Sequence, residues 1–435
     1  MVRGAGKTEI RLFSTLVFKT EIDNILYRLY IILFLQILRP ESYRRIFIMM
    51  IKKICRLSVV LALAVSGLTA AADELDHECT SWIIFSDLTK NNTNILHKNR
   101  DAMPKNVRVM QSAKDSPRRW IGLGNDSSLC MGMNASGLAA IMNSGEICSD
   151  HRKDPTRKST PAILQYMLEN CDTAAEAAAA IRKLIGAGDY SHGGKKGSIF
   201  FFTDAKEGYI CEMTANFCSV QRYDSSYAFR ANIWHNPGMA QFSRNGVKRF
   251  LDSCGRESVV LDIFNSALEK NGKLTLADVL KLSRLAKQLE GSPLERSVCF
   301  KNTNSASTLV IHREFPQTLS TLWVLIGHPR HTIYVPIPLC AEKLLPSMLT
   351  PEWAAASWKR FKKLGLHAEI PAEWTALEKQ SIAEYEKAVA EAEKLLRDGK
   401  KEQAIKLLNR TAAGIWEKAY PLAVPSKPAK ADEDK

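Results

Sequence analysis

The sequence predicts an α+β fold: two antiparallel sheets packed face to face with helices on their outer sides, a four-layer αββα sandwich, followed by a C-terminal helical hairpin. Three observations predict it. Strand-like runs and helical blocks succeed one another as strands, helices, strands, helices, strands, the order such a sandwich produces. The 357 residues from Cys79 onward allow one large domain or two smaller ones with ample apolar surface for a core. The tail beyond the core differs in composition, with 373–397 rich in Ala, Glu, Lys and Leu and carrying apolar residues at helical spacing. Periodicity by itself also permits other α+β layouts.

The elements follow in order. Runs 82–85, 94–97, 107–110 and 137–142 are short, apolar and bounded by turn residues, as strands are. Ser159 and Thr160 then precede Pro161, a residue favoured in a first helical turn, and 162–168 continues with helical spacing. Thr173 with Glu176 is a capping-box pattern opening a helix over 174–184. Strands return at 198–203, 208–213, 217–221 and 228–233. Helices are expected at 247–253, 258–269 and 276–289, the last capped by Thr275 and Asp278. Strands at 307–312, 319–327 and 332–335 close a core domain over 79–345. Within the helical segment 346–420, Ile382, Tyr385, Val389, Ala392 and Leu396 mark one helix, Asp398-Gly399-Lys400 a turn, and 402–420 a second helix. Helical pairs of this kind build repeat arrays only in about three copies, so this one is expected to fold onto the main domain. The Lys/Pro/Asp-rich stretch 421–435 is expected to be disordered.

The first 78 residues are expected to lie outside the mature fold. Met50-Ile51-Lys52-Lys53, an apolar run over 57–68 and Ala70-Ala71-Ala72 make a secretory signal over 50–72, hence a secreted or periplasmic protein. Residues 73–78 form a short acidic propeptide. Residues 1–49 read as an over-long gene start, the alternative being a membrane anchor through the apolar run 25–38, which is short for a span of about 20 residues. From Cys79 onward, 49 Lys+Arg face 38 Asp+Glu, a net charge of +11. No basic stripe with interleaved aromatics accompanies that charge, so it reads as solvated surface and no nucleic-acid partner is expected. Neither metal-ligand spacing nor a phosphate-binding loop occurs, so no cofactor or metal is expected. Ten cysteines suit an exported protein. Cys55 leaves with the signal, and if Cys79 is set apart, eight remain for up to four disulfides, Cys211 with Cys218 being the first pair expected.

Cys79 is the residue on which the functional reading turns. Removal of the stub would make it the first residue of the chain, with a thiol nucleophile and an α-amine of pKa about 8 on one residue. Such a pair can attack an amide without a histidine, given groups that hold the amine and donors for the oxyanion. Three blocks accompany it. Cys79-Thr80 is followed by His97-Lys98-Asn99-Arg100-Asp101. Gly132-Met133-Asn134-Ala135-Ser136-Gly137-Leu138 precedes Ile141-Met142-Asn143. Ala231-Asn232-Ile233-Trp234-His235-Asn236-Pro237 comes third.

Together these blocks resemble the cysteine N-terminal-nucleophile hydrolases, in particular the group of choloylglycine hydrolase, penicillin V acylase and the isopenicillin N acyltransferase-like peptidases. The resemblance spans roughly 79–338. It implies the αββα fold, Cys79 as nucleophile, Asp101 orienting the α-amine, Lys98 where many members place an arginine, Asn143 donating to the oxyanion and Asn236 as a second polar group near the nucleophile. Lysine at 98 keeps the charge but loses the planar fork of arginine. The bile-salt enzymes also carry a late arginine near the nucleophile. Arg296 is the nearby candidate here, and the role is not carried over to it. Glu212 and His235 are given no chemistry, since a one-residue catalyst needs no histidine base.

The expected function is therefore an exported amidohydrolase that cuts its own Glu78–Cys79 bond and cleaves linear C–N amide bonds of a small-molecule substrate through an acyl-thioester. Three alternatives remain: an acyltransferase of the same fold, a non-catalytic exported binding protein with Cys79 in a disulfide, and an envelope protein tethered through 25–38. Homo-oligomerisation is left open, and a membrane partner is expected only if 25–38 is an anchor.

Overall fold

The computed structural model describes residues 78–103, 106–126, 128–150, 152–191, 195–286 and 297–425. The signal, the gene-start segment 1–49, Arg296 and the stretch 426–435 lie outside the described residues, and of the propeptide only Glu78 is described. The architecture below is that of the compact unit Leu75–Asn245 with Arg249–Lys435.

Thirteen described strands form two sheets, antiparallel throughout. The six-stranded sheet runs β10-β1-β2-β11-β12-β13, with β1 (Cys79–Ile84), β2 (Thr93–Asp101), β10 (Tyr227–Arg230), β11 (Thr303–His312), β12 (Thr321–Ile326) and β13 (Val335–Pro338). The seven-stranded sheet runs in chain order through β3 (Val107–Gln111), β4 (Trp120–Asn125), β5 (Ser128–Asn134), β6 (Ala139–Ile147), β7 (Lys196–Thr203), β8 (Gly208–Met213) and β9 (Cys218–Tyr223). Between them Ile83, Leu96, Ile141, Ile199 and Phe201 share one apolar core.

Helices cover both outer faces. α1 (Thr160–Asn170) and α2 (Ala174–Gly186) pack Ile163, Leu164, Met167 and Ile181 against Leu129, Phe200 and Phe202 of the seven-stranded sheet. Their starts are capped by the side chains of Ser159 and Thr173, as expected. On the six-stranded sheet, strand alternation turns Trp82 outward. There it stacks on His97 at 4.0 Å between ring centroids and meets Phe264 of α3 (Val247–Asn271) edge-on at 5.8 Å. α4 (Leu276–Leu282) carries the Thr275/Asp278 capping box.

The C-terminal helices are α5 (Glu352–Leu364), α6 (Ala372–Arg397) and α7 (Lys401–Ala423). They dock on the β12–β13 end of the core. Tyr385 meets Trp323 edge-on at 5.9 Å, and Trp416 donates its indole N–H to the carbonyl of Pro336 at 2.6 Å.

Several expectations change. β4 and β5 are absent from the sequence reading, because Gly122, Gly124 and Gly132 look like strand breakers. They are instead points of close approach: a Cβ on Gly122 would lie 2.3 Å from the carbonyl oxygen of Met131. The helices expected at 247–253 and 258–269 are one helix, since nothing crowds Gly255 and the chain runs through it. The strand expected over 228–233 stops at Arg230, because the next residues turn away under side-chain hydrogen bonds described below. The last core strand lies at Val335–Pro338 rather than 332–335. α7 continues past residue 420 with Pro421 inside it, so the helical segment extends beyond its expected end.

All nine described cysteines are free thiols. Cys211 pairs across from Val220 and Cys218 across from Met213, so the two sit diagonally on neighbouring strands rather than opposite each other. Among the described residues no helix is long and apolar enough to cross a membrane, and no cluster has the make-up of a metal site.

Candidate active site

β1 lies inside its sheet, between β10 and β2, and begins at Cys79. Its Thr-Ser-Trp-Ile-Ile run suits a buried strand. Alternation places Cys79, Ser81 and Ile83 on the face toward the second sheet, and Thr80 and Trp82 on the face toward α3. Cys79 stands opposite Arg100, and Ser81 opposite Lys98.

The peptide bond before Cys79 is gripped on both sides. The carbonyl oxygen of Glu78 accepts from the backbone N–H of Asp101 at 2.8 Å. The backbone N–H of Cys79 donates to Asn232 Oδ1 at 2.9 Å. Asn232 is fixed in turn: its amide donates to the Ser144 carbonyl at 2.7 Å, and its Oδ1 also accepts from Arg256 at 3.0 Å.

Arg256, on α3, binds the start of β1 with its whole guanidinium. It donates to the Cys79 carbonyl at 2.5 Å and to Thr80 Oγ1 at 2.9 Å, and pairs with Asp252 at 3.0 Å and Glu78 at 3.4 Å. Burial by itself lowers its pKa, but the carboxylates of Asp252, Glu78 and Asp101 outweigh burial and raise it. One helical turn pair upstream, Arg249 donates to the Glu78 carboxylate and, at 3.1 Å, to the Gly145 carbonyl. Lys196 on β7 completes the ring around Glu78, at 3.7 Å. Glu78 itself is fully buried.

The residues expected from the sequence divide into two groups. Lys98 reaches Asn143 Oδ1 at 2.7 Å, and Ser81 donates to the same oxygen at 2.8 Å, so the two sheets are bridged beside Cys79. The Asn143 amide donates to the carbonyls of Ala231 at 3.1 Å and Arg230 at 3.3 Å, which ties down the segment that carries Asn232. The Asp101 carboxylate accepts from Thr303 at 2.5 Å. Cys79, Lys98, Asp101 and Asn143 thus come together. Asn236 does not join them: its amide donates to the carbonyls of Ile210 and Ser219, and its oxygen accepts from Arg230. The asparagine at the Cys79 backbone nitrogen is Asn232, which the same sequence block contains four residues earlier.

Three buried carboxylates hold this block in shape. Glu212 accepts from Arg230 Nε at 2.7 Å and from the backbone N–H groups of His235 and Asn236. Glu257 accepts from the N–H of Ala231 at 2.8 Å and lies 3.0 Å from His235 Nε2. Glu146 accepts from the N–H of Trp234 at 2.8 Å. Burial pushes the Glu146 carboxyl from 4.5 up to about 7. A carboxyl raised by folding favours the fold while protonated in both states, and that contribution is lost as pH rises from about 4.5 through about 7. The rise from 4.5 to about 7 amounts to about 3 kcal/mol at most. Glu146→Gln is therefore expected to be relatively more stable than the parent at pH 8 than at pH 5, read by urea melts at both values. An equal difference at the two values would contradict the assignment.

Burial disfavours the thiolate at several other cysteines. Burial pushes Cys148 and Cys218 up to about 12 and Cys171 and Cys340 up to about 11. Sequence reasoning missed Glu78 as a bound group, quoted Asn232 in its block but assigned the role to Asn236, and missed Arg249, Arg256 and Lys196 altogether. The spacing of Arg249 and Arg256 places them on one helix face, the single signal available, but arginines on a helix usually mark a solvated side.

The comparisons with known proteins concern the family and the fold. The family model described as "Acyl-coenzyme A:6-aminopenicillanic acid acyl-transferase" matches residues 88–332, more than half of the chain. A search of curated proteins gave no match. Among solved structures, a conjugated bile acid hydrolase from Clostridium perfringens is similar at 10% identity and a TM-score of 0.41, over 60% of this chain and 92% of that one. A penicillin V acylase from Agrobacterium tumefaciens is similar at 15% identity and a TM-score of 0.38, over 60% of this chain and 86% of that one.

Proposed function

Because the chain belongs to the acyl-coenzyme A:6-aminopenicillanic acid acyl-transferase family, we propose that it is an amide-bond enzyme whose nucleophile is the Cys79 thiol, made N-terminal by cleavage of its own Glu78–Cys79 bond. The observation that carries this reading is the double grip on that bond. Asp101 N–H already donates to the carbonyl oxygen that would become an oxyanion, and Asn232 already holds the nitrogen that would leave.

Maturation and turnover share one chemistry. In maturation, Sγ attacks the Glu78 carbonyl carbon. The C–S bond forms, the C–N bond breaks, and the thiol proton ends on the leaving nitrogen. Water then cleaves the thioester, which gives the Glu78 carboxylate and returns the thiol. In turnover, the freed α-amine, held by Asn232, takes the thiol proton, and the thiolate attacks a substrate amide carbonyl. The substrate amine leaves with that proton, and water releases the acyl group.

Lys98, Ser81 and Asn143 serve as positioning residues: they fix the sheet-to-sheet distance at the nucleophile and hold the Asn232 segment. Asp101 contributes its N–H to the oxyanion, with its carboxylate near the Arg256 guanidinium. Asn236 acts structurally, in the turn beyond. Water is the acceptor in this reading, and residues 50–72 direct the chain to a secreted or periplasmic location. The family name supports a second reading for the last step only, in which an amine takes the acyl group in place of water.

The test is to trap the intermediate. Acid quenching during turnover of a slow amide should give a protein mass raised by the acyl group, mapped to the Cys79 peptide and removed by hydroxylamine. An unmodified Cys79 under conditions where amide is consumed would sink the mechanism.

A further inference from the structure

We infer that the pocket around the Glu78 side chain becomes the acyl pocket of the mature enzyme, and that its substrates are amides whose acyl group carries a carboxylate at the reach of a glutamate side chain, as a glutaryl group does. This rests on the maturation step proposed above. The thioester formed there is an acyl-enzyme whose acyl group is Glu78. The groups that hold the Glu78 side chain are therefore positioned around the acyl part of a Cys79 thioester.

The chemistry of the pocket is specific. A fully buried carboxylate is tolerated only when paired, and Glu78 has Arg249, Arg256 and Lys196 around it. When the stub departs, these cations stay, since they stand on α3 and β7. Arg256 keeps Asp252 at 3.0 Å. Arg249 keeps, among its described hydrogen bonds, only the Gly145 carbonyl, and its Nε has no partner. Lys196 has no described ion pair apart from Glu78. Its pKa is lowered by burial and by Arg249, with Glu78 working in the opposite direction. Arginine cannot relieve such an imbalance by losing its proton. An anion in place of the lost carboxylate relieves it.

The experiment titrates the mature protein by calorimetry in chloride-free buffer with glutarate, and with neutral glutaramide of the same length as control. Glutarate is expected to bind at least about tenfold more tightly than glutaramide and to slow alkylation of Cys79. Lys196→Met, at the pocket's edge, should weaken glutarate by about tenfold and leave glutaramide little changed. Equal binding of the two compounds overturns the pocket assignment, as does tight glutarate binding that ignores Lys196→Met. Intact mass of the same samples separates this failure from that of the nucleophile reading. A chain still carrying Glu78 refutes the maturation step, and the pocket with it. A chain that begins at Cys79 and does not prefer glutarate refutes the pocket alone. Assay of glutaryl and butyryl anilides adds the kinetic readout, with the acidic substrate expected to have the higher kcat/KM by a similar factor.

Discussion

Cys79→Ala is expected to leave the Glu78–Cys79 bond uncut and to lower amide turnover by roughly a thousandfold or more. Both losses share a cause. Without a thiol no thioester can form, so neither the Glu78 carbonyl nor a substrate carbonyl is attacked. The fold should survive, because the side chain is small and Cys79 makes no disulfide. The backbone contacts to Asn232, Asp101 and Arg256 are made by peptide groups that alanine retains. Cys79→Ser is a sharper probe. Its hydroxyl can attack, but its far higher pKa should slow maturation enough for cut and uncut chains to be seen together over hours. Unchanged turnover in the alanine variant would exclude Cys79 as the nucleophile.

Arg256→Met should destabilise the fold by about 3–5 kcal/mol, the cost of removing one partner of a buried ionic cluster. The loss comes from what remains: the Cys79 carbonyl would stay buried without its donor, Asp252 would lose its ion pair with the guanidinium, and Asn232 Oδ1 would lose one of its two donors. Arg256→Lys should recover less than half of that loss. One ammonium cannot serve acceptors spread across Nε and both Nη positions, which face Asp252, Cys79, Thr80, Glu78 and Asn232. Urea unfolding at constant pH measures both variants. Wild-type stability in Arg256→Lys would mean that the fork geometry contributes little. Arg256→Met should also slow maturation, since the carbonyl and hydroxyl that position Cys79 and Thr80 lose their anchor.

Much of the fold was legible because its signals are local. Apolar runs with turn residues between them gave most strands, and Ser159, Thr173 and Thr275 marked helix starts that the structure caps with those side chains. The losses came where tertiary contact reverses a local signal. Gly122 and Gly132 look like breakers until another backbone packs against them. Ala231, Ile233 and Trp234 extend a strand pattern, yet Glu146, Glu212 and Glu257 draw their surroundings into a turn. The site divides in the same way. Cys79, Lys98, Asp101 and Asn143 lie on adjoining strands or across the sheet gap, and short motifs carry them. Arg249, Arg256 and Lys196 join from a distant helix and strand to satisfy one buried carboxylate, and no spacing within the chain announces that. Asn232 and Asn236 share one motif, and a difference of four residues decides which faces Cys79. Strand β10 and the turn after it settle that choice, not composition.

The most direct measurement is the intact mass and N-terminal sequence of the protein recovered after expression, with Cys79→Ala alongside. The account predicts a wild-type chain that begins at Cys79 and an alanine variant that retains Glu78. A wild-type chain that keeps Glu78 while cleaving amides would contradict it, because the α-nitrogen of Cys79 would then be an amide and could not take the thiol proton.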